Sequence, residues 1–346
     1  MKKLLLNIIK IAVPLALGLF LIWYIYKDLS QEDKSHIFTS FKTANYGWLL
    51  LSIVIGIFSH ISRAYRWNIL LKPMGFEPKL YNGFFAVMTG YLANMAFPRL
   101  GEVSRAAVFT KYEKVPFEKA FGTIMAERVI DMFILLSLTL FTIITQFHLL
   151  GGFLMDEVLN PLSKKFAGNI TSKVIIAGCA ISFVLLVYYI IKSKSKLIGE
   201  KLGNLFNGFL EGFKTVLKIE RKAAFIFHSL LIWVLYFLML WVCFFTLPET
   251  SNAGLGAVLA AFVFGSFGII AVQGGIGAYP AILTKTLALY GIATPFAFAV
   301  GWIAWTGQSL MILIAGVSSI VLLPLVNKKR IDNEQSEHLK VQDISA

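Results

Sequence analysis

Apolar runs of membrane-crossing length recur along the chain, and no other feature narrows its fold as far. Leu4–Tyr26, Trp48–Ile61, Val129–Phe147, Val174–Ile191, Ala223–Leu247 and Phe296–Val326 are the main ones, set against the roughly 20 apolar residues a helix needs to cross a bilayer. Hydrophobic residues make up 57% of the chain and charged residues 15%, where soluble domains carry about 25% charged. An all-α polytopic membrane protein is the expectation. Met1-Lys2-Lys3 opens the first run as in a signal peptide, but the run is too long and no small-x-small cleavage site follows it. It reads as a retained anchor.

The remaining bulk features exclude other classes. Cys179 and Cys243 both lie inside apolar runs, as packing residues do, and form neither a disulfide framework nor a metal site. The net charge of +13 sits almost wholly in the segments between runs. That placement suits anionic lipid headgroups and the orientation of the protein, with no nucleic-acid role.

Loop charges set the expected topology through the positive-inside rule. Lys2, Lys3 and Lys10 place the N-terminus in the cytoplasm, and Lys27–Asn45, with three lysines against three acids, reads as outside. Arg63–Tyr81 has four basic residues and one acid, Lys192–Lys222 has eight against three, and Lys328-Lys329-Arg330 follows the last run. All three read as cytoplasmic. Parity then fails if Asn82–Phe97 crosses alone, and it is restored by a hairpin that turns at Pro98-Arg99-Leu100-Gly101 and returns through Val103–Thr110. The same count applies to Gly254–Val272 and Ala278–Ala293, joined by Gln273-Gly274-Gly275-Ile276-Gly277.

The expected architecture has about eight hydrophobic segments, read as six full spans plus two Gly/Pro-broken re-entrant hairpins in an inverted repeat. Its halves are residues 1–191 and 223–326 of one membrane domain, 1–326. Interrupted segments at matching positions of two inverted halves point to a transporter site near the midplane, and broken backbone at that depth must be buried in protein or line a wet cavity. The competing reading makes both turns surface loops. Between the halves, Leu202, Phe206, Phe209, Phe213 and Val216 recur at helical spacing among lysines, so 192–222 is expected to hold an amphipathic helix on the inner leaflet. The polar tail 327–346 is expected to be disordered and cytoplasmic.

Ionisable residues cluster where the first hairpin turns and beside it. Arg63 and Arg66 share a helix face, as interfacial anchors or as part of a site. Arg99, Glu102 and Arg105 recur every three residues after Asn94 and Pro98, around Gly101. Glu102 can pair with Arg105 and leave Arg99 free, either as a structural tie or as part of a phosphate site, since the guanidinium fork matches a phosphate. Glu127, Arg128 and Asp131 stand where the next run begins, with Glu127 and Asp131 on one face and Arg128 within reach of Asp131. At least one acid is expected to pair with Arg66, Arg99 or Arg105, because charges in a span point into the bundle. Gln273, Gly274, Gly275 and Gly277 offer backbone N–H groups in a tight turn.

The spacings Arg63-x-x-Arg66-Trp67-x-x-Leu70-Leu71, Gly90-x-x-x-Asn94-x-x-x-Pro98-x-x-Gly101-Glu102-x-x-Arg105 and Gly122-Thr123-x-x-x-Glu127-Arg128-x-x-Asp131 resemble the lysylphosphatidylglycerol synthetase transmembrane-region family, whose stand-alone members are called flippase-like. The resemblance runs through nearly the whole chain and is most specific between Asn94 and Asp131. It implies an integral inner-membrane protein that moves lipid or lipid-linked headgroups. In bifunctional relatives a cytoplasmic acyltransferase-like domain aminoacylates phosphatidylglycerol and the membrane region carries the product across. Only about twenty polar residues follow Val326 here, so the aminoacylating activity is not expected to transfer. Gln273 and Tyr279-Pro280 replace the family's usual Pro before the glycine pair and acid after it, leaving that turn without an ion pair.

Three functions follow. The first is a lipid flippase for an anionic, zwitterionic or polyprenyl-linked headgroup, with Arg99 and Arg105 on the phosphate and Glu102, Glu127 and Asp131 balancing charge. The second is a non-catalytic membrane partner of a separately encoded glycosyltransferase or aminoacyltransferase, with self-association also open. The third, an intramembrane enzyme using Glu127 and Asp131 as acid and base, lacks support: the five histidines are scattered, and there is no HExxH, P-loop or metal-ligand spacing. No catalytic residue, metal or cofactor is assigned, and no nucleotide site is visible.

Overall fold

The structure is a computed structural model that describes residues 16–97, 99–147, 149 and 219–328, and every regular element among them is helical. In chain order these are α1 (Ala16–Tyr26), α2 (Gln31–Thr43), α3 (Tyr46–Leu71), α4 (Leu80–Ala96), α5 (Leu100–Glu113), α6 (Phe117–Thr145), α7 (Lys222–Cys243), α8 (Pro248–Ser251), α9 (Leu255–Ala271), α10 (Ala278–Leu289) and α11 (Thr294–Val326). The span expected at Val174–Ile191, the amphipathic segment up to 218, Pro98 and the tail from 329 lie outside the described residues.

Among the described residues, four helices are long and apolar enough to cross a membrane: α3, α6, α7 and α11, the first and third each extended by a 3-10 turn. Their outer faces are apolar, with Phe58, Phe133, Leu140, Ile144, Ile226, Leu230, Ile314 and Val321 all exposed. Such continuous apolar surface requires lipid or another apolar partner. The chain is a multi-pass membrane protein.

Two of these helices begin or end further out than the apolar runs suggest. α3 continues ten residues past Ile61, to Leu71, because no helix breaker occurs before Pro73 and Gly75, the latter in the left-handed region at φ 83°. Arg63 and Arg66 therefore belong to a buried helix end, not to a loop, and the basic loop shrinks to Lys72, Glu77 and Lys79. α6 starts at Phe117, after Pro116. Glu127 and Asp131 thus lie about 15–20 Å along it at 1.5 Å per residue, near its middle and not at its entrance.

The two broken segments form antiparallel helix pairs. In α4–α5 the chain turns because Phe97, before Pro98, is extended at φ −140°, ψ 133°, the conformation a following proline imposes. Arg99 then takes a left-handed conformation, φ 63°, and α5 starts. The pair crosses closely at Gly90 and Gly101: a Cβ on Gly90 would stand 2.9 Å from the Gly101 carbonyl oxygen. At the open end of the pair, Asn82 donates to Glu113 at 2.6 Å. In α9–α10, Gly265 and Gly268 face Tyr279, Leu283 and Ile282 in the same way.

The pairs enter from opposite ends of the bundle. The open end of α4–α5 lies beside the end of α11, where Asn82 and Asn327 exchange amide hydrogen bonds of 3.0 and 2.8 Å. It also lies beside the end of α3, where Asn68 donates to the Pro78 carbonyl at 2.9 Å. The start of α9 lies instead at the other end, with Gly256 against Gln146 just beyond α6. At that same end the Asn45 N–H donates to the Thr246 carbonyl at 2.9 Å, joining the start of α3 to the end of α7. α11 packs against α4 and α10, and α6 against α5 and α9, so each of these long helices braces both pairs. The two turns meet between them.

Candidate functional site

Helical spacing sorts the charged residues onto inward faces. Arg63, Arg66 and Trp67 lie along one side of α3, Glu127 and Asp131 along one side of α6, and Arg105 on the side of α5 that faces both. All are buried, with Arg66 and Glu127 at 0% exposure. Isolated charges in such a place would cost several kcal/mol each, so the contacts between helices must hold them.

Asp131 is the hub. Its carboxylate takes a two-pronged contact from Arg66, Nη1 to Oδ1 at 2.7 Å and Nη2 to Oδ2 at 3.2 Å, and a third bond from Arg63 Nη1 at 2.8 Å. Glu127 accepts from Arg66 Nε at 3.2 Å and faces Arg105 Nη2 at 2.8 Å. The second contact is an ion pair whose N–H is not aimed at the oxygen, and Arg105 Nε and Nη2, like Arg63 Nε, make no hydrogen bond among the described residues. The Arg105 guanidinium lies flat over the Trp67 ring at 3.8 Å, a cation–π contact. That ring stacks on Phe109 and donates from Nε1 to Thr123 at 2.8 Å.

A polar and aromatic flank extends the network toward α4 and α7. Arg63 Nη2 donates to the Tyr236 hydroxyl at 3.3 Å, which is 3.1 Å from the Tyr91 hydroxyl. The buried His60 ring packs on Tyr91 at 4.7 Å, and Arg66 reaches Ser229 at 3.3 Å. None of Tyr91, Ser229, Tyr236 or His60 stood out in the sequence.

The remaining first-hairpin residues form the rim. Arg128 Nη2 meets Glu102 Oε1 at 3.1 Å, a partly exposed pair, and the Asn94 side chain accepts from the Gly101 N–H at 2.7 Å. Arg63, Gly90, Asn94, Glu102, Arg105 and Arg128 line a cavity of about 10 Å³, room for one water molecule. Arg99 is exposed at the tip and makes no hydrogen bond or ion pair among the described residues.

The expectation that an acid pairs with Arg66 or Arg105 is met, and the local pairings are corrected. Glu102 binds Arg128 instead of Arg105, and Arg128 does not bind Asp131. Side chains three residues apart on an inward face meet the neighbouring helix before they meet each other. Among the described residues, the side-chain hydrogen bonds that join the second turn to the first come from Gln273, whose Nε2 donates to the carbonyls of Asn94 and Met95, both at 3.1 Å. Gly274 accepts from Trp305 Nε1 at 2.7 Å, and Gly275 and Gly277 pack against Tyr279 and against Gly18 of α1. These glycines stay off the cavity wall.

The chain is 31% identical over 134 residues to a UPF0104 membrane protein of Methanocaldococcus jannaschii, a match that covers 38% of this chain and 39% of that protein. No solved structure matches. The profile of the lysylphosphatidylglycerol synthase TM region matches residues 11–325, and the chain belongs to that family.

Proposed function

We propose that the protein is a lipid flippase that moves an anionic, zwitterionic or polyprenyl-linked headgroup across the cytoplasmic membrane, with both termini on the cytoplasmic side. The observation that carries this reading is the buried arginine–carboxylate network behind the first hairpin, at the place where two helix pairs entering from opposite ends meet. Ionisable groups at bilayer depth are expensive, and they mark substrate or ion pathways when they face a bundle interior. On this reading both pairs are re-entrant hairpins, and the acyl tails stay in the bilayer while the headgroup passes the tips.

In this scheme Arg99 and Arg105 engage the phosphate, and Arg63, Arg66, Glu127 and Asp131 hold Arg105 and the hairpin in register. Asn94 and Gly101 keep α4 and α5 in contact, Glu102 and Arg128 guard the rim, and the Gln273 turn closes the far side. The basic segments between spans support the orientation.

The test is a proteoliposome assay of headgroup-labelled lipids with wild type, Arg99→Ala and Glu102→Gln. Movement of a lipid class that either substitution abolishes supports the proposal. No movement of any lipid by folded protein would overturn it and point to a membrane partner of a separate glycosyltransferase or aminoacyltransferase.

A further inference from the structure

We infer that the end of the bundle where α3 and α11 begin carries a separate lipid site: a groove that takes one acyl chain of a glycerophospholipid, with Lys34 at its mouth for the phosphate. This site lies apart from the arginine network and stands whether or not the protein moves lipid.

The groove follows from how four helices meet. Ile25 and Leu29 after and within α1, Ile37 of α2 and Phe298 of α11 form a small buried core, which fastens α1 and α2 to α11. Beside that core, α1, α2, α3 and α11 leave a groove of about 430 Å³. Ile22, Tyr26, Phe41, Leu49, Trp302 and Thr306 line it. The Tyr46 hydroxyl donates to the Phe41 carbonyl at 2.6 Å and fixes the turn between α2 and α3 in its wall.

Size and lining select hydrocarbon. No charged side chain lines the groove. An apolar cavity of about 150 Å³ takes one benzene ring, so a groove about three times larger has room for about 18 carbons, one long acyl chain. Leu50, Val54 and Leu310 are exposed on the neighbouring surface of α3 and α11, which makes hydrocarbon the medium beside it.

The mouth selects phosphate. Lys34 Nζ lies over the Tyr26 ring, 4.9 Å from its centroid, a cation–π contact with a residue of the groove wall. The two acids just before it in sequence are engaged elsewhere. Asp33 accepts from the Ser30 N–H and hydroxyl at 3.0 and 2.8 Å, and Glu32 faces His36 at 3.6 Å. A lysine held at headgroup level above an apolar groove matches a lipid phosphate.

The inner end of the groove touches the second turn. A Cβ on Gly277 would stand 2.9 Å from Ile22 Cγ1. Trp302 meets Trp305 edge-on at 5.3 Å, and Trp305 Nε1 donates to the Gly274 carbonyl. A chain in the groove therefore lies against both residues that abut this turn.

The experiment uses the full chain in phosphatidylethanolamine proteoliposomes doped with phosphatidylglycerol that carries a diazirine on one palmitoyl chain. After illumination, adducts are mapped by mass spectrometry. They should concentrate at Tyr26, Phe41 and Trp302, above the level at Phe133 and Phe227, which are exposed on the lipid-facing surface. Thr306→Trp, at an exposed position, fills the groove and should abolish the adducts there while leaving those at Phe133 and Phe227. Lys34→Gln should lower groove labelling about fivefold, the weight of one lysine at a charged membrane surface. A diacylglycerol with the same diazirine should not respond to Lys34→Gln.

Equal labelling of groove and control positions would mean bulk lipid only and overturn the site. A groove left unlabelled while Phe133 and Phe227 are labelled would mean that protein fills it, and would overturn the lipid as occupant. Groove adducts that Lys34→Gln leaves unchanged would overturn the phosphate anchor.

Discussion

Gln273 caps the end of the helix that carries Asn94. Its Nε2 donates at 3.1 Å to the carbonyls of Asn94 and Met95, in the last turn of α4, where helix carbonyls have no partner of their own. Asn94 passes the contact on, because its side-chain oxygen accepts from the Gly101 N–H at 2.7 Å, in the first turn of α5. The turn of one helix pair thus satisfies the end of the other, and a polar bridge of three residues links the two turns.

Replacing Gln273 with Leu keeps the bulk and removes the donors. The two carbonyls are left unsatisfied at a cost of about 1–3 kcal/mol, concentrated at the tips. Hydrogen exchange should rise at 94–101 and 273–277 while the helix content of α3 and α11 is unchanged. Gln273→Glu should be worse than Leu, since a carboxylate would face two carbonyl oxygens. Equal protection in wild type and both variants would show that the bridge contributes nothing.

Gly101→Ala tests the close crossing. The new Cβ would meet the Gly90 carbonyl and the Asn94 side-chain amide, and backbone cannot give way as a side-chain end can. Overpacking of this kind costs roughly 1–3 kcal/mol, and it should also break the Asn94–Gly101 bond. Gly254→Ala is the control, because nothing lies within 4 Å of its Cβ. Its stability should stay within about 0.5 kcal/mol of wild type. A matching loss at both positions would mean that the effect is glycine chemistry and not crossing distance.

Burial separates the two kinds of ion pair. Asp131→Asn leaves two buried guanidinium groups without their shared carboxylate, and uncompensated buried charge costs about 3–5 kcal/mol. Arg128→Gln breaks a pair whose side chains are 40% and 16% exposed, worth about 0–1 kcal/mol. Unfolding in detergent micelles should therefore show a large drop in midpoint for the first and little change for the second. Comparable drops would indicate that the network is wetter than its burial implies.

The sequence carried the placement of the helix pairs well and the wiring between them poorly. Pro98, Gly101 and the Gln273–Gly277 turn punctuate otherwise apolar text, and the observed α4, α5, α9 and α10 lie within a few residues of the segments that punctuation delimits. The end of α3 is legible in Pro73 and not in the charge of Arg63: helices stop at breakers, not at arginines. Partner choice was not legible, because local spacing says only which side chains share a face. Which face meets which depends on how α3, α6 and α5 pack. Ser229 and Tyr236, seven residues apart on α7, did leave a faint polar stripe in an apolar run, and Tyr91 left none.

Arg99 is the position where fold and function make opposite demands. It holds φ 63° with no side-chain cap bond to α5, a conformation that costs an L-residue about 1–2 kcal/mol and glycine almost nothing. Nothing in the packing requires arginine there, since the side chain is exposed. Arg99→Gly should leave stability unchanged or raise it by up to about 1 kcal/mol, the gain from relieved strain being partly offset by the freer unfolded chain. Lipid movement should nevertheless fall, because a guanidinium at the tip is lost. Arg99→Lys keeps the charge and loses the planar fork, so transport should rank wild type above Lys and Lys above Gly, while stability ranks Gly at or above wild type. Transport and unfolding midpoints measured on the same three preparations decide the matter: if transport simply follows stability, Arg99 is a turn residue and the anion site must be sought at Arg105 alone.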